Sequence, residues 1–212
     1  MIRLQGKLPR DLFVGVSGGL DSMTVLDFLR RAHNVTVLSF DHGSAYHVEA
    51  RKLVGDYCSK HDIRIIDGRI SNIEKPKDQS LEEYWRNERL AFFAQFQAPI
   101  VTAHHLDDVL ETWLWSNCHG EGKIIPYNYK NVIRPFRLNS KGELTKWALR
   151  NNVPYLNDQS NSDTRFMRNY IRHNMVDHAL HVNPGLYKVL RKKLEADFQE
   201  FSCSERLNTL VW

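Results

Sequence analysis

The stretch that decides the fold is "LFVGVSGGLDSMTVLDFLRR", residues 12–31. Its apolar start, residues 12–16, ends at two glycines and an aspartate, and apolar residues then recur at helical spacing over residues 22–31. The pattern predicts a strand, a short loop and a helix that begins at once. Such a loop is either an ordinary turn or an anion-binding site. Glycines allow an anion to come close to the backbone, and the N-terminus of a helix has free N–H groups that can bind it.

The rest of the chain continues this alternation of short apolar runs and helical patterns. Further strands are predicted over residues 35–40, 63–66 and 99–102, and helices over residues 48–61, 80–97 and 107–117, with a polar loop over residues 71–79. Alternation of this kind predicts a doubly wound α/β fold with a mainly parallel sheet covered on both faces.

The pattern changes after Cys118, where the segment that follows is irregular. Helices return after Ser140, through residue 150, and over residues 170–180 and 186–201. We therefore expect a nucleotide-binding domain over residues 1–139 and a small C-terminal helical extension over residues 140–212.

Composition is that of a globular protein, with 42% hydrophobic and 25% charged residues among 212. The net charge of +4 weakly favours a polyanionic partner. No apolar run is long enough to predict a membrane span, and no apolar leader opens the sequence, so we expect a cytoplasmic protein without a membrane partner. The three cysteines form no C-x-x-C pair, which argues against a zinc ribbon and a disulfide framework.

The glycine loop differs from the familiar phosphate-binding motifs. It lacks the Lys-Ser/Thr pair of a Walker A loop, the spacing of G-x-G-x-x-G and the serine of a nucleophile elbow. Its aspartate is informative, because a carboxylate beside phosphates is repelled unless a divalent cation is present. The loop therefore favours a nucleotide and Mg²⁺ over a plain turn, and its residues are Ser17, Gly18, Gly19, Leu20, Asp21 and Ser22.

A second motif, "TAHHLDDVLETWL" at residues 102–114, follows the strand predicted over residues 99–102. On a helix, Asp107, Asp108 and Glu111 fall within about one turn of one another. Acidic decoration of a surface helix would explain them, and histidines beside aspartates can also bind zinc. The helical spacing lacks H-E-x-x-H, which weighs against zinc.

"SGGLDS" resembles the S-G-G-x-D-S loop of the PP-loop ATP pyrophosphatases, which cleave ATP between the α and β phosphates and adenylate a substrate. Within them, A-H-H-x-D-D-x-x-E-T resembles the tRNA(Ile)-lysidine synthetase family. The segments "FDHG", "LEEYWRNERLAFF", "IRPF" and "YLNDQSNSDTRFMRNYIRHNM" resemble others of that family in the same order. The similarity covers residues 12–175.

The resemblance implies an ATP-dependent ligase that adenylates C2 of the wobble cytidine of a CAU-anticodon isoleucine tRNA. Lysine is then joined there, with release of AMP and pyrophosphate. ATP and Mg²⁺ are the implied cofactors, and tRNA and L-lysine the implied partners. The implied catalytic residues are Asp21, Arg86, His105, Asp107, Asp108 and Glu111. Nucleotide binding would fall to the loop of residues 17–22 with Arg89 and Arg172, and Asp21 would hold Mg²⁺.

The sequence also departs from that family. "HGEGKIIPY" replaces a segment close to G-T-G-L-x-G-L, and family members generally continue beyond the equivalent of Trp212 with domains that grip tRNA. We therefore expect either a minimal enzyme, or one that has lost tRNA selectivity or needs a partner or a homodimer. Two alternatives stay open: a thiolase-type PP-loop tRNA-modifying enzyme, whose relatives often carry cysteine pairs, and a non-catalytic ATP- or RNA-binding module. Intact SGGLDS and HHLDD motifs favour an enzyme.

Overall fold

The structure is a computed structural model that describes residues 1–43, 45–70, 75–157 and 166–209. Residues 71–74 of the predicted polar loop, and Asn161 and Asp163 of the "SNSD" segment, lie outside the described residues.

A six-stranded sheet forms the centre of the protein. The strands are β1 (Asp11–Gly15), β2 (Asn34–Asp41), β3 (Arg64–Arg69), β4 (Ile100–Val101), β5 (Asn128–Tyr129) and β6 (Val132–Ile133). Their order is β3-β2-β1-β4-β6-β5, and every pairing is parallel except that of β5 with β6. The order reverses at β1, which is the signature of a doubly wound sheet, so the predicted fold class is confirmed.

The described helices connect these strands and continue after them. They are α1 (Leu20–Leu29), α2 (Ala45–Lys60), α3 (Leu81–Phe93), α4 (Leu106–Cys118), α5 (Lys141–Arg150), α6 (Met167–Asn174), α7 (Val176–Val182) and α8 (Leu186–Thr209). Ser140 caps α5 in a reciprocal capping box with Glu143, and Ser80 accepts a hydrogen bond from the Glu83 N–H at the start of α3. None of the described helices is long and apolar enough to cross a membrane.

The core lies between the sheet and the helices on its two faces. Val14 and Met23 are fully buried where β1 meets α1, and Leu144 and Ala148 of α5 join the same cluster. A separate cluster joins α4 to α8 through fully buried leucines: Leu106, Leu110, Leu190 and Leu194. Parallel pairing brings the carboxyl ends of β1, β2, β4 and β6 to one edge of the sheet, where the candidate site lies.

Three predicted elements differ from the structure. Helix α3 ends at Phe93 rather than residue 97, because the Asn131 side-chain amide donates to the carbonyls of Phe93 and Phe96. The helix predicted over residues 170–180 is divided between α6 and α7, with an irregular backbone at Met175. The irregular segment after Cys118 contains the small β5–β6 hairpin, which turns at Lys130 with φ of 56°.

Candidate active site

The glycine loop joins β1 to α1 at the carboxyl edge of the sheet. Gly18 has φ of +82°, and a Cβ there would lie 2.9 Å from the Cβ of Ala50, so only glycine fits. Gly19 is the N-cap of α1 and provides no side-chain cap. The first N–H groups of α1 are therefore left without a side-chain acceptor, which is the arrangement that binds phosphate at a helix N-terminus.

Internal hydrogen bonds hold the shape of this loop. The Ser22 hydroxyl donates to the Gly19 carbonyl at 3.0 Å and accepts from the Ser17 N–H at 3.2 Å. The Leu156 N–H donates to the Gly18 carbonyl at 3.0 Å, which ties the loop to the segment after α5. Ser22 is buried and serves the loop itself, while Ser17 is exposed.

Asp21, in the first turn of α1, lies beside His105, the N-cap of α4. The Asp21 Oδ2 atom is 3.5 Å from His105 Nε2. The other carboxylate oxygen, Oδ1, is buried and accepts no hydrogen bond. A buried anionic oxygen without a partner is costly, so this atom marks a place for a cation or donor.

His105 is almost fully buried, at 2% exposure, and is surrounded by carboxylates. Its Nδ1 atom lies 3.6 Å from carboxylate oxygens of both Asp107 and Asp108. Burial by itself would lower the pKa of the imidazole, but Asp108, Asp21 and Asp107 outweigh it and raise the pKa to about 9. The surrounding carboxylates thus favour the protonated imidazole, and His105 joins the glycine loop to α4.

Two arginines of α6 neutralise the acids further along α4. Arg168 donates to Asp108 at 2.6 Å and to Glu111 at 2.8 Å, and Arg172 donates to Glu111 at 2.6 Å. Burial opposes ionisation of Asp108, but His105 and Arg168 hold the pKa of its carboxyl well below the usual range. Glu111 is 2% exposed, and its carboxylate oxygens accept hydrogen bonds from both arginines.

Asp107 lies on the side of α4 that faces α5 and α8. It accepts a hydrogen bond from the Lys141 N–H at 2.7 Å and from the Tyr187 hydroxyl at 2.9 Å. Burial and the nearby Asp107 raise the pKa of the Tyr187 hydroxyl, which stays protonated as a donor. Asp107 therefore fixes the start of α4 against the two later helices.

Positive charge collects around the ends of α3 and β6. Burial and the neighbouring guanidinium groups of Arg86 and Arg168 lower the pKa of Arg89. Burial, Arg86, Arg137 and Arg89 lower the pKa of Arg134 to about 10. Within the described residues, Arg86, Arg89 and Arg134 form no ion pair, whereas Arg168 and Arg172 do.

Two histidines border this positive cluster and are uncharged. Burial, Arg89 and His47 lower the pKa of His42 to about 4. Burial also lowers the pKa of His104 well below 6.5. Asp108 raises this pKa, but the charges of Arg134 and Arg168 lower it further. The His104 ring contacts the Thr102 hydroxyl at 2.9 Å.

The structure therefore brings most of the residues singled out in the sequence into one region. Asp21, His105, Asp107, Asp108, Glu111 and Arg172 form a continuous polar network, and Arg86 and Arg89 belong to the adjacent positive cluster. His42, His104 and Arg134 also belong to this region and were not predicted as site residues. His42 directly follows β2, a strand that the sequence predicts, and that position is the signal that marks it.

Among the described residues, no group of three His, Cys, Asp or Glu side chains could hold a metal ion, so the zinc alternative has no support there. Mg²⁺ needs fewer protein ligands than zinc does, since it binds through one or two carboxylates together with substrate phosphates. The buried, unpartnered Oδ1 of Asp21 beside the open N-terminus of α1 fits that requirement.

A glycine loop of this form, at the end of the first strand of a doubly wound sheet, defines the PP-loop class. A family model described as "PP-loop domain" matches residues 3–179, and the chain belongs to that family. In fold it is similar to an NH3-dependent NAD synthetase from Campylobacter jejuni, with a TM-score of 0.52 and 16% identity over 91% of this chain and 87% of that one.

The sequence relatives are more specific. The chain is 30% identical to a tRNA(Ile)-lysidine synthase of Thermotoga maritima over 90% of this chain and 52% of that protein. It is 30% identical to a tRNA(Ile)-lysidine synthase of Staphylococcus epidermidis over 94% of this chain and 51% of that protein. It is 27% identical to a tRNA(Ile)-lysidine synthase of Francisella tularensis subsp. novicida over 95% of this chain and 52% of that protein. The chain thus spans about half the length of these curated relatives.

Proposed function

We propose that this chain carries the catalytic centre of an ATP-dependent tRNA-modifying ligase of the tRNA(Ile)-lysidine synthetase type. It would activate C2 of the wobble cytidine in a CAU-anticodon tRNA and join L-lysine to it. The observation that carries the proposal is the contact of Asp21 with His105, which connects the nucleotide loop to a buried network of acids and arginines. The names of the relatives supply the substrate.

The nucleotide half of the proposal rests on the glycine loop. The N–H groups at the start of α1 would bind the β and γ phosphates of ATP, and Gly18 lets them approach the backbone. Asp21 would hold Mg²⁺ through Oδ1, with His105 orienting the carboxylate through its contact with Oδ2. When bound, Mg²⁺ would neutralise the charge that develops on the departing pyrophosphate.

The proposed reaction has two displacement steps. In the first, the C2 oxygen of cytidine attacks the α phosphorus of ATP, and the bond from that phosphorus to the bridging oxygen breaks to release pyrophosphate. In the second, the ε-amine of lysine attacks C2, the C2–oxygen bond breaks, AMP leaves and the nitrogen loses a proton. A cytosine carbonyl is a poor electrophile, so adenylation supplies the leaving group that the second step needs.

The amino acid half rests on the α4–α6 network. Lysine carries two ammonium groups and a carboxylate, and the network carries charges of both signs. Asp108 and Glu111 offer anionic oxygens, and Arg168 and Arg172 remain partly exposed, at 36% and 25% of their side chains. We propose that the acids bind the amino groups, that the arginines bind the α-carboxylate, and that a carboxylate accepts the proton released on attack.

The described cysteines do not support sulfur transfer. Cys58 is buried in the core, where burial raises the pKa of its thiol to about 11, and Cys118 is exposed at the end of α4. A sulfur-transfer enzyme needs a reactive thiolate, and burial with a raised pKa makes the Cys58 thiol unreactive.

The decisive experiment is incorporation of labelled lysine into a CAU-anticodon tRNA by the full chain, with ATP and Mg²⁺. We expect acid-precipitable label that depends on ATP and falls to background in Asp21→Asn, with a tRNA of different anticodon as the negative control. ATP-dependent AMP release without incorporated lysine would contradict lysine as the amine donor and favour the thiolase class. Absence of ATP binding would contradict the enzyme itself and favour a binding module.

A further inference from the structure

The positive cluster formed by Arg86, Arg89 and Arg134 has no ion-pair partner within the part of the chain that the structure describes. Arg86 and Arg89 lie one turn apart on α3, and Arg134 follows β6. The pKa values of Arg89 and Arg134 are lowered because burial and mutual repulsion oppose their charges. Holding like charges together in this way costs stability, which a bound anion would recover.

Arg134 provides the sharpest sign that a ligand is missing. Its side chain is 95% buried: one terminal nitrogen donates to the Pro126 carbonyl at 2.9 Å, but Nε is buried without any partner. Arg137, three residues later, is fully buried yet bonded to Gln5, to the Ile125 carbonyl and to Asp197. The fold therefore supplies hydrogen-bond acceptors to Arg137, a buried arginine with a structural role. The Nε of Arg134, which has no acceptor, needs another explanation.

The position of this cluster separates it from the glycine loop. The loop follows β1, whereas Arg134 follows β6, and β4 lies between these two strands. Two strand spacings correspond to about 10 Å along the sheet edge. A triphosphate with its β and γ phosphates in the glycine loop would leave this second cluster for another anion.

Aromatic rings accompany the cluster. His42, whose pKa is lowered by burial and by Arg89, packs at a tilt against Trp85 of α3, with ring centroids 5.5 Å apart. Arginines beside uncharged rings are the combination that binds single-stranded nucleic acid, in which phosphates and base faces alternate. Arg86 is exposed, so the cluster reaches from the surface to the buried Arg134.

We propose that Arg86, Arg89 and Arg134 form a subsite for a backbone phosphate of the RNA substrate, next to the nucleotide that enters the cleft. The inference rests on the proposed function, which supplies RNA as the substrate, and adds to it a phosphate contact from Arg134. The subsite is distinct from the nucleotide loop and from the α4–α6 network.

Binding of a fluorescein-labelled RNA hairpin with a CAU loop, followed by anisotropy between about 50 and about 200 mM salt without ATP, tests this inference. We expect Arg134→Met to weaken binding about tenfold and to reduce the slope of log affinity against log salt by about 0.7, the loss of roughly one phosphate contact. Arg134→Lys keeps the charge and should restore the slope, though not the full affinity. Arg150→Met, which removes an exposed arginine of α5, should change neither quantity.

Arg89→Met is the second variant, since Arg89 makes no hydrogen bond in the described structure and its loss should leave folding intact. It should lower RNA affinity and salt slope as Arg134→Met does. A loss of ATP and pyrophosphate affinity in equilibrium dialysis, with RNA binding unchanged, would assign the cluster to the nucleotide and overturn the inference, as would unchanged RNA binding in both variants. Failure of lysine incorporation by the wild-type chain, with these RNA effects present, would contradict the ligase proposal alone.

Discussion

The Nε2 atom of His105 lies 3.5 Å from Oδ2 of Asp21, so that the N-cap of α4 touches the first turn of α1. These residues are far apart in the sequence, but their helices follow adjacent parallel strands, β1 and β4. Through this contact the charges of the nucleotide loop and of the acidic network interact directly. A change in charge at either residue is therefore expected to be felt by the other.

Replacing Asp21 tests the nucleotide half of the proposed function. Asp21→Asn keeps the size of the side chain but removes the anionic oxygen that is buried without a partner. We expect ATP-dependent pyrophosphate release to fall by about a hundredfold or more, on the scale of losing one electrostatic contact in a transition state. Thermal unfolding should change little, and a variant of near wild-type rate would show that Asp21 does not bind the metal.

Alanine variants of two glycines distinguish the effect of backbone strain from the effect of a steric clash in the nucleotide loop. Gly18 and Gly43 have similar φ angles, +82° and +78°. A Cβ at Gly18 would lie 2.9 Å from the Cβ of Ala50, whereas a Cβ at Gly43 would have no atom of the described residues within 4 Å. Gly43→Ala should cost about 1 kcal/mol of unfolding free energy, from the φ angle alone. Gly18→Ala should cost more and also abolish ATP binding. Equal effects of the two variants in urea unfolding and dialysis would contradict this reading.

Glu111 should be one of the residues whose replacement destabilises the protein most. It is 2% exposed and accepts from both Arg168 and Arg172, so Glu111→Gln would weaken a buried contact to two partly exposed guanidinium groups. We expect a loss of about 2 to 3 kcal/mol in urea unfolding, less than for a fully buried pair because both arginines are partly exposed to solvent. The matched control is Glu121→Gln, which breaks an exposed pair with Lys123 and should cost less than about 1 kcal/mol. Similar losses in both would mean that the α4–α6 pairs are not buried in solution.

The charge of His105 predicts a pH dependence of stability. Its pKa is about 9 in the folded protein and 6.5 in an unfolded chain, so the protonated form stabilises the folded state. This contribution is fully present below pH 6.5 and is lost as pH rises through about 9. In EDTA, urea unfolding should show a decline on the order of 2 kcal/mol across that interval.

His105→Gln should remove that decline, since glutamine does not titrate. The variant should be less stable than the wild type near pH 6 and similar to it near pH 10. A wild-type curve that is flat between those values, or one that the variant reproduces, would show that His105 is neutral in the folded protein.

Local signals in the sequence were sufficient for much of the fold. The Ser140–Glu143 capping box began α5 where predicted, and the glycine loop was followed at once by α1. The β5–β6 hairpin could not be predicted, because its strands of two residues are too short to show any period. The break at Met175 was also missed, since neither glycine nor proline marks it and the packing of α6 and α7 decides it.

Some residues of the candidate site could likewise be predicted from the sequence, and others could not. Asp21, His105 and Glu111 lie in two compact motifs and could be named from the sequence. Arg134 could not, because its importance arises from a burial and a missing hydrogen bond that only the folded chain reveals. The assignments of Asp21 to Mg²⁺ and of the acids to lysine remain predictions, as does the division of the chain after residue 139.

The hydrogen bond from the Leu156 N–H to the Gly18 carbonyl, with the parallel bridge between Gly19 and Leu156, gives the nucleotide loop a support supplied very late in the chain. A nascent polypeptide on the ribosome therefore cannot complete this loop until Leu156 has left the exit tunnel. Until then β1 and α1 can form, but the ATP-binding turn between them lacks its brace. Nucleotide binding during synthesis should accordingly begin late, after the whole sheet has emerged.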